Sequence, residues 1–276
     1  MIEGVWAALP DLWNRAEADL LERAVERLLA RGVDGFFAPG TTGLGAELSV
    51  RRRMQVLERL VRAINAAGER QQQKMVAAIS ANAAEDVHTL LEHAGSLGVK
   101  GVALTPPSYG MWTHADLLAW LDAALDGRQD GKQSNLEIYL YHIPAAVRTG
   151  WDPDLLTTID QRFNIEGIKD SSGDVARLAA YLAWGRRRGR PFSLMVGNER
   201  LTSYGLMLGA SGVVSAFACA YPDLMIKICT ACRQKDWDAV AALQNEINAK
   251  LDLLAHTPQR EVPAVLLNLA REQEIF

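Results

Sequence analysis

The sequence predicts an α/β protein, a (β/α)8 TIM barrel with a C-terminal helical extension. Short β-branched or apolar runs alternate with longer segments of 3.6-residue periodicity, and this alternation occurs about eight times before it stops. Strand-then-helix units without long linkers imply a parallel sheet, and eight units in about 215 residues suffice for such a sheet to close into a barrel. An open, doubly wound sheet is the alternative that fits the same pattern.

Eight apolar runs are the predicted strands. They are residues 4–8, 33–38, 75–79, 101–104, 136–141, 165–169, 192–196 and 212–215. Amphipathic helices are predicted between them, as in residues 16–30, where Leu21, Val25 and Leu28 share one face, and in residues 50–66. Each helix can therefore cover the sheet with its apolar side.

Only helical patterns follow the last strand, and they cover residues 222–232, 237–254 and 261–271. We therefore expect residues 1–220 to form the barrel and residues 221–276 to form a helical region packed on it. No low-complexity tract or boundary marks a separate second domain.

The composition argues against polyanionic partners. The 276 residues are 49% hydrophobic and 22% charged with a formal net charge of -4, so the chain has no general attraction to nucleic acid or to an anionic membrane. The first residues lack a basic segment followed by a long apolar stretch, and no run of about 18 apolar residues occurs. We expect a cytoplasmic protein with no nucleic-acid or membrane partner.

The cysteines and histidines do not predict a metal site. Cys229 and Cys232 have the C-x-x-C spacing, but they lie in a helical pattern without a second such pair, which favours a buried structural pair over a metal or redox site. The five histidines show no paired ligand spacing. No metal is expected.

Lys169 is the most informative residue, because it stands where a predicted strand gives way to a turn. Catalytic groups of (β/α)8 barrels lie at the C-terminal ends of the strands. A lysine amine in its neutral form can make a Schiff base with a ketone. The segment alone favours an exposed lysine at a strand end, so the rest of the rim must decide between the two interpretations.

Other polar groups follow other strands and are predicted to converge on the same rim. They are residues 40–43 after the second strand, 80–82 after the third, 105–109 after the fourth, Tyr141 and His142 at the fifth, and residues 197–199 after the seventh.

The loop at residues 40–45 reads Gly-Thr-Thr-Gly-Leu-Gly and matches neither G-x-G-x-x-G nor the Walker pattern, so it does not indicate a nucleotide site. It precedes a helix that Ser49 can cap. Its glycines let backbone N–H groups and the hydroxyls of Thr41 and Thr42 face a small anion such as a carboxylate. A simple turn is the alternative.

Tyr139 and Tyr141 are predicted to share one face of the fifth strand, because side chains alternate along a strand. A tyrosine within reach of a Schiff-base lysine can shuttle protons while the carbinolamine forms and loses water. Simple packing in the core is the alternative for each tyrosine.

Five motifs together occur in the order and at roughly the spacing of the dihydrodipicolinate synthase / N-acetylneuraminate lyase family, which the chain resembles over about residues 4–270. They are residues 40–43 (Gly-Thr-Thr-Gly), 107–109 (Pro-Ser-Tyr), 139–144 (Tyr-Leu-Tyr-His-Ile-Pro), 167–174 (Gly-Ile-Lys-Asp-Ser-Ser-Gly-Asp) and 212–215 (Gly-Val-Val-Ser). The resemblance implies a pyruvate-dependent class I aldolase or lyase.

The resemblance also assigns roles. Lys169 matches the Schiff-base lysine, Tyr141 the proton-shuttling tyrosine, and Thr42 the threonine that relays protons. Tyr109 matches a tyrosine that reaches into a neighbouring subunit's site, which implies a homo-oligomer, either a dimer or a tetramer. The resemblance also implies substrate binding by Thr41, Thr42, Val214 and Arg148. Further candidate substrate-binding positions, from their place after the second and seventh strands, are Gly40, Gly197, Asn198 and Glu199. The substrates would be pyruvate and an aldehyde, joined through an imine on Lys169 without any cofactor.

Departures from the family pattern bear on the second substrate. Leu44 stands where the lysine-pathway enzymes and sialic acid lyases usually carry glutamate, and the loop looks more like that of 2-keto-3-deoxy-sugar-acid aldolases. Arg148 resembles the arginine that binds aspartate semialdehyde, displaced by about two residues. Three hypotheses follow: an aldolase or lyase for 2-keto-3-deoxy acids, a 4-hydroxy-tetrahydrodipicolinate (dihydrodipicolinate) synthase of lysine biosynthesis, and a catalytically silent relative that binds an oxo acid.

Overall fold

The computed structural model describes residues 1–14, 17, 19–68, 74–126, 136–258 and 260–276. Within them, eight parallel strands form a closed barrel in sequence order, with the eighth strand paired to the first. The strands β1 to β8 are Gly4–Ala8, Gly35–Ala38, Met75–Ala78, Gly101–Leu104, Glu137–His142, Gly167–Asp170, Ser193–Val196 and Gly212–Ser215. The predicted (β/α)8 barrel is confirmed, and the open doubly wound sheet is excluded.

The helices surround this barrel and continue after it. Helices α1 to α10 are Leu20–Ala30, Val50–Ala66, Ala84–Ser96, His114–Ala124, Pro153–Phe163, Val175–Arg187, Thr202–Met207, Pro222–Gln234, Trp237–Asp252 and Val262–Glu272. The helical extension after β8 is present as predicted. Of the helix predicted at residues 16–30, Ala16 and Ala18 lie outside the described residues.

The C-terminal helices share the core of the barrel's outer layer. Leu266, Leu267 and Ala270 of α10 belong to the same buried cluster as the inward faces of α1 to α6. Helix α8 contacts α7 and β1, which is the place of the eighth helix of the barrel. The predicted boundary at residue 220 therefore falls between β8 and the helix that completes its unit.

The alternation of side chains along each strand creates two separate apolar layers. A first cluster fills the inside of the barrel, where Trp6, Phe37, Tyr141 and Val214 meet. A second, larger cluster lies between the sheet and the helices. Because Tyr139 belongs with Tyr141 to the inner cluster, the shared face predicted for the two tyrosines is confirmed.

Side-chain caps begin two of the helices that follow the site's loops. Ser49 Oγ accepts a hydrogen bond from Arg52 N at 3.2 Å and so caps α2, as its position in the sequence predicts. Asp174 caps α6 by accepting from Ala176 N at 2.8 Å and from Arg177 N at 3.1 Å. Such caps each contribute about 1 kcal/mol and fix where a helix starts.

Two further findings bear on the class of protein. No helix in the described ranges combines the length and the apolar character that crossing a membrane requires. Among these same residues, no group of three or more histidine, cysteine, aspartate or glutamate side chains is arranged to hold a metal ion. Cys229 is buried and Cys232 is half-buried, and both are free thiols.

Candidate active site

Lys169 lies inside the barrel on β6, with only 6% of its surface exposed. Its Nζ is 4.1 Å from the ring centroid of Phe37 and 4.2 Å from that of Tyr141. The two rings meet edge to face, with centroids 5.5 Å apart. No carboxylate among the described residues forms an ion pair with this lysine, so aromatic faces alone hold the amine.

Gly197 creates the space that the Lys169 side chain occupies. A Cβ at this position would lie 2.9 Å from Lys169 Cε and 2.1 Å from Ser171 Oγ. The Ser171 hydroxyl instead donates a hydrogen bond to the Gly197 carbonyl at 3.2 Å. The residue predicted to bind substrate thus lies against the lysine, and its lack of a side chain is a packing requirement.

Tyr141 stands beside Lys169 on the neighbouring strand, because the two residues are register partners of β5 and β6. Its hydroxyl oxygen lies 3.4 Å from Thr41 Oγ1, and its carbonyl accepts a hydrogen bond from Trp151 Nε1 at 3.1 Å. The relay was predicted through Thr42, but Thr41 is the threonine that the structure places against the tyrosine.

The loop that carries Thr41 is tightly closed. Leu44 N donates to the Thr41 carbonyl at 3.0 Å, and Gly45 N donates to the Gly40 carbonyl at 3.0 Å. Leu44 has a φ of 52°, in the left-handed region that is unusual for a bulky residue. A Cβ at Gly45 would lie 2.1 Å from the Pro39 carbonyl oxygen, so only glycine fits there.

A cavity of about 760 Å³ opens beside these residues. Its lining includes Thr41 and Tyr141. Lys169 is not part of this lining, but its Nζ is in contact with the Tyr141 ring. The apolar part of the wall is formed by Leu44, Leu48, Val50, Ile143 and Val147, and the polar part by Ser80, Asn82, Thr105 and Ser108. The cavity is large enough to hold more than a three-carbon acid.

The cationic side chains that line this cavity already have partners. Arg53 donates from its two terminal nitrogens to the carbonyls of Ser80 and Ala78, at 2.7 and 2.6 Å. Burial lowers the pKa of this guanidinium to about 10, and its Nε has no partner. Arg260 pairs with Glu47 at 2.9 Å. Arg260 is thus paired with a carboxylate, whereas backbone carbonyls occupy both terminal nitrogens of Arg53.

Sequence reasoning missed Arg53, although the sequence carries a signal for it. On α2 it occupies the same stripe as Leu57, Leu60 and Ile64, at the helical spacing that marks the buried face. An arginine within an apolar stripe needs buried acceptors, and the carbonyls at the end of β3 supply them.

Three of the residues predicted to bind substrate lie outside the cavity lining. Arg148 is exposed, and the cavity lining passes through the neighbouring Ala146 and Val147 without it. The Glu199 carboxylate accepts from Ser215 Oγ at 2.7 Å and from Phe217 N at 3.3 Å. Asn198 Oδ1 accepts from Arg200 N at 3.1 Å and caps a 3-10 turn. The last two therefore stabilise the loop after β7.

Val214 lies inside the barrel with 1% of its surface exposed, as part of the same inner cluster as Tyr141.

Tyr109, in the loop after β4, has 84% of its surface exposed. Its carbonyl accepts a hydrogen bond from Trp112 Nε1 at 2.9 Å. Within one chain Tyr109 is not part of the cavity lining, whereas the adjacent Ser108 is.

Two buried titratable residues follow the site residues on their strands but face the helices. Burial lowers the pKa of His142 to about 4, and the positive charge of Arg177 adds to this effect. Burial also raises the pKa of Asp170, against the hydrogen bond that its carboxylate accepts from Ser172 N at 2.9 Å. Because alternate residues point to opposite sides, neither group faces Lys169.

Comparison with known proteins places these motifs in a family. The model of the dihydrodipicolinate synthetase family matches residues 13–269. A 4-hydroxy-tetrahydrodipicolinate synthase of Methanosphaerula palustris is 26% identical over 206 residues, which are 75% of this chain and 66% of that protein. For a second synthase, from Methanosarcina acetivorans, the shared part is 57% of the protein's length. The chain thus spans less than two thirds of these curated relatives.

Solved structures show the same fold at low sequence identity. YagE of Escherichia coli K12, in complex with pyruvate, superposes with a TM-score of 0.85 at 20% identity, covering 98% of this chain and 88% of that one. A variant of the 2-keto-3-deoxygluconate aldolase of Sulfolobus solfataricus gives a TM-score of 0.83 at 18% identity, covering 98% and 86%.

Proposed function

The chain belongs to the dihydrodipicolinate synthetase family, and from this membership we propose that it is a pyruvate-dependent class I aldolase or lyase. The observation that carries the proposal is Lys169, which is buried against two aromatic rings, one of them the cavity-lining Tyr141, and is paired with no described carboxylate. Such an amine is available for attack on a ketone.

In the proposed reaction the Lys169 amine adds to the keto carbon of pyruvate. The resulting carbinolamine loses one water to give an imine. The protonated imine accepts electron density when the pyruvate methyl group loses a proton, and the enamine that forms then attacks the carbonyl carbon of an aldehyde. Water finally releases the product and restores the amine. Run backwards, the same steps cleave a 2-keto-4-hydroxy acid, and neither direction needs a cofactor.

The protons in these steps are assigned to Tyr141 and its neighbours. The Tyr141 hydroxyl would donate to and accept from the oxygen that leaves the carbinolamine, since its ring already contacts Lys169. Thr41, 3.4 Å away, takes the relay role that the sequence suggested for Thr42. Tyr109 would complete the relay from a neighbouring copy in a homo-oligomer, because it is exposed on its own chain.

The loop at residues 40–45 would bind the carboxylate of pyruvate. Hydrogen bonds within the loop hold its backbone in place, and the hydroxyls of Thr41 and Thr42 would donate to the carboxylate. Val214, on β8, would border the pyruvate carbons from inside the barrel.

For the second substrate we propose an aldehyde whose product is a 2-keto-3-deoxy acid. Leu44 and Val147 give the cavity an apolar wall, while Ser80 and Ser108 offer hydroxyls. A second carboxylate, as in aspartate semialdehyde, is best bound by a cation with available donor nitrogens, but Arg260 is paired with Glu47 and both terminal nitrogens of Arg53 bond to backbone carbonyls. The alternative, 4-hydroxy-tetrahydrodipicolinate synthase, would depend on Arg148, which is exposed outside the cavity lining.

Reductive trapping tests the first half of this proposal. The protein is incubated with pyruvate, reduced with borohydride, digested and analysed by mass spectrometry. We expect the adduct on Lys169 and its loss in Lys169→Ala, while Lys227→Ala, which removes an exposed lysine of α8, keeps it. No adduct on the folded protein would reject both enzymatic hypotheses and favour an oxo-acid-binding relative.

An aldehyde panel tests the second half. The adduct-forming protein is given pyruvate with glyceraldehyde or with aspartate semialdehyde, and the consumption of pyruvate is measured. We expect faster turnover with glyceraldehyde. Robust turnover of aspartate semialdehyde would reject the proposed substrate class and support the synthase.

A further inference from the structure

One side-chain oxygen, Asn82 Oδ1 in the loop after β3, accepts three hydrogen bonds from the loop after β4. The donors are Ser108 N at 2.8 Å, Ser108 Oγ at 3.0 Å and Tyr109 N at 3.3 Å. Two of these donors are backbone amides, and an amide nitrogen cannot accept from them. The contacts therefore fix the carboxamide with its oxygen toward the loop and its nitrogen away from it.

Asn82 is itself held in place from two sides. Its carbonyl accepts a hydrogen bond from Trp120 Nε1 at 3.1 Å, and Trp120 is 6% exposed in α4. Two residues earlier, the Ser80 carbonyl is bound by Arg53 at 2.7 Å, while Ser80 Oγ accepts from Thr105 N at 2.9 Å. The loop after β3 is thus fixed to α2 and α4 and presents Asn82 to its neighbour.

The anchoring of Asn82 matters because the loop that it binds carries Tyr109. Tyr109 has 84% of its surface exposed, so its own ring has little packing to hold it. Its main chain is held at its N–H by Asn82 and at its carbonyl by Trp112 Nε1, at 2.9 Å. An aromatic side chain whose backbone is fixed on both sides is presented in a defined direction at low entropic cost.

We propose that Asn82 is a positioning residue for the reaction, and that it acts by holding Tyr109 in the orientation that catalysis requires. The inference rests on the proposed function, in which Tyr109 serves the active site of a neighbouring copy. It assigns to Asn82 no contact with substrate. What matters is the acceptor oxygen, so aspartate, which keeps that oxygen, serves in its place, whereas the isosteric leucine does not.

Hydrogen exchange of the loop tests the structural half without any need for activity. Peptides that contain residues 105–113 are compared in the unaltered protein, Asn82→Leu and Asn82→Asp. We expect exchange at Ser108 and Tyr109 to become about tenfold faster in Asn82→Leu. Each of the two amides loses a hydrogen bond, and such a loss raises an exchange rate about five- to tenfold. Asn82→Asp should keep the slow rate, and Asn245→Leu, an exposed site on α9, should leave it unchanged. Equal exchange in Asn82→Leu and the unaltered protein overturns the proposal.

Kinetics test whether Asn82 acts through Tyr109. We expect Asn82→Leu to lower kcat about tenfold while the KM for pyruvate stays within about twofold, and Asn82→Asp to restore kcat. In a Tyr109→Phe background the same Asn82→Leu change should cost less than about twofold, since the residue it positions has lost its hydroxyl. The proposal is overturned if Asn82→Leu still lowers kcat about tenfold in the Tyr109→Phe background, or if Asn82→Asp does not restore kcat.

The two proposals fail in different ways. If the unaltered protein forms no pyruvate adduct, the proposed function is wrong whatever Asn82 does. If the adduct forms and the loop exchanges slowly, but Asn82→Leu turns over at the normal rate, only the positioning role is wrong. Should Asn82→Leu not fold, Asn82→Ser, whose shorter side chain cannot reach both amides, replaces it in both assays.

Discussion

Gly197 offers the most direct test of how Lys169 is held. Its φ lies outside the left-handed region, so the backbone tolerates alanine, and the obstacles are the contacts of a Cβ with Ser171 Oγ at 2.1 Å, Lys169 Cε at 2.9 Å and the Asp170 carbonyl oxygen at 3.2 Å. We expect Gly197→Ala to displace the lysine side chain and slow formation of the pyruvate adduct by about tenfold, at a stability cost of about 1–3 kcal/mol. Timed borohydride trapping and urea unfolding measure the two effects.

The double variant Ser171→Ala with Gly197→Ala separates the two collisions. It removes the serine oxygen and leaves the contact with Lys169 Cε. If the lysine is what matters, adduct formation stays slow in the double variant. Full recovery would show that only the serine was displaced, and the packing requirement on Lys169 would be wrong.

His142 makes stability depend on pH. Its pKa falls from 6.5 to about 4 on folding, chiefly by burial, with Arg177 adding to the shift and Asp152 and Asp174 opposing it. Between these values the unfolded chain binds a proton that the folded protein does not, so stability is complete above pH 6.5 and is lost as the pH falls toward 4. The full loss is about 3 kcal/mol.

Urea unfolding at several pH values between 4 and 7 measures this dependence. We expect His142→Asn to flatten it, because asparagine does not titrate. His256→Asn, at an exposed position, is the control and should keep the original slope. An unchanged slope in His142→Asn would assign the acid sensitivity to other groups, but not to Asp170, whose raised pKa stabilises the folded protein as the pH falls.

The candidate site could be predicted from the sequence where strand geometry determines the positions of its residues. The sequence places Lys169 and Tyr141 at the ends of neighbouring parallel strands, and their pairing follows from that. The choice between Thr41 and Thr42 was not predictable, because it depends on how a closed loop turns over a few residues. The positions of Glu199 and Arg148 likewise depend on loop conformation, which local sequence patterns do not determine.

At the level of elements, the start of α2 fixes the loop that carries Thr41. Ser49 begins that helix by accepting from Arg52 N at 3.2 Å. We expect Ser49→Ala to lower the free energy of unfolding by about 1 kcal/mol, since an orphan N–H loses its acceptor, and Ser49→Asp to retain it because aspartate caps equally well. Urea unfolding measures both. Equal stability of the alanine and aspartate variants would contradict the capping role.

Element types were predictable and element edges less so. All eight predicted strands are present, but the run at residues 33–38 begins two residues before β2, Gly35–Ala38, and the run at residues 165–169 begins two before β6, Gly167–Asp170. Val33 and Ile165 are buried like strand residues while they lie in the preceding loops. Hydrophobicity reports burial, and burial in a barrel extends beyond the hydrogen-bonded ladder.

Across the whole molecule, the sheet separates two chemical environments. Its inner face holds Lys169 among aromatic rings, and its outer face holds His142 and Asp170 among the helices. The division follows from the alternation of side chains in β5 and β6, where Tyr141 and Lys169, the proposed catalytic residues, are each followed by a buried titratable residue. The outer pair can therefore affect stability without facing the substrate.

The exposed end of the loop after β4 predicts how copies of the chain associate. Tyr109 and Met111 have 84% and 79% of their surfaces exposed. Exposure of large apolar side chains to water costs free energy, and burial in an interface would remove this cost. We expect a homo-oligomer in sedimentation velocity experiments, and a shift of Met111→Glu toward smaller species, because a buried interface would have to desolvate the new charge. Asn245→Glu, on the exposed face of α9, should sediment like the unaltered protein. A monomer at all concentrations would exclude a role for Tyr109 in a neighbouring site and leave each cavity to act with its own residues alone.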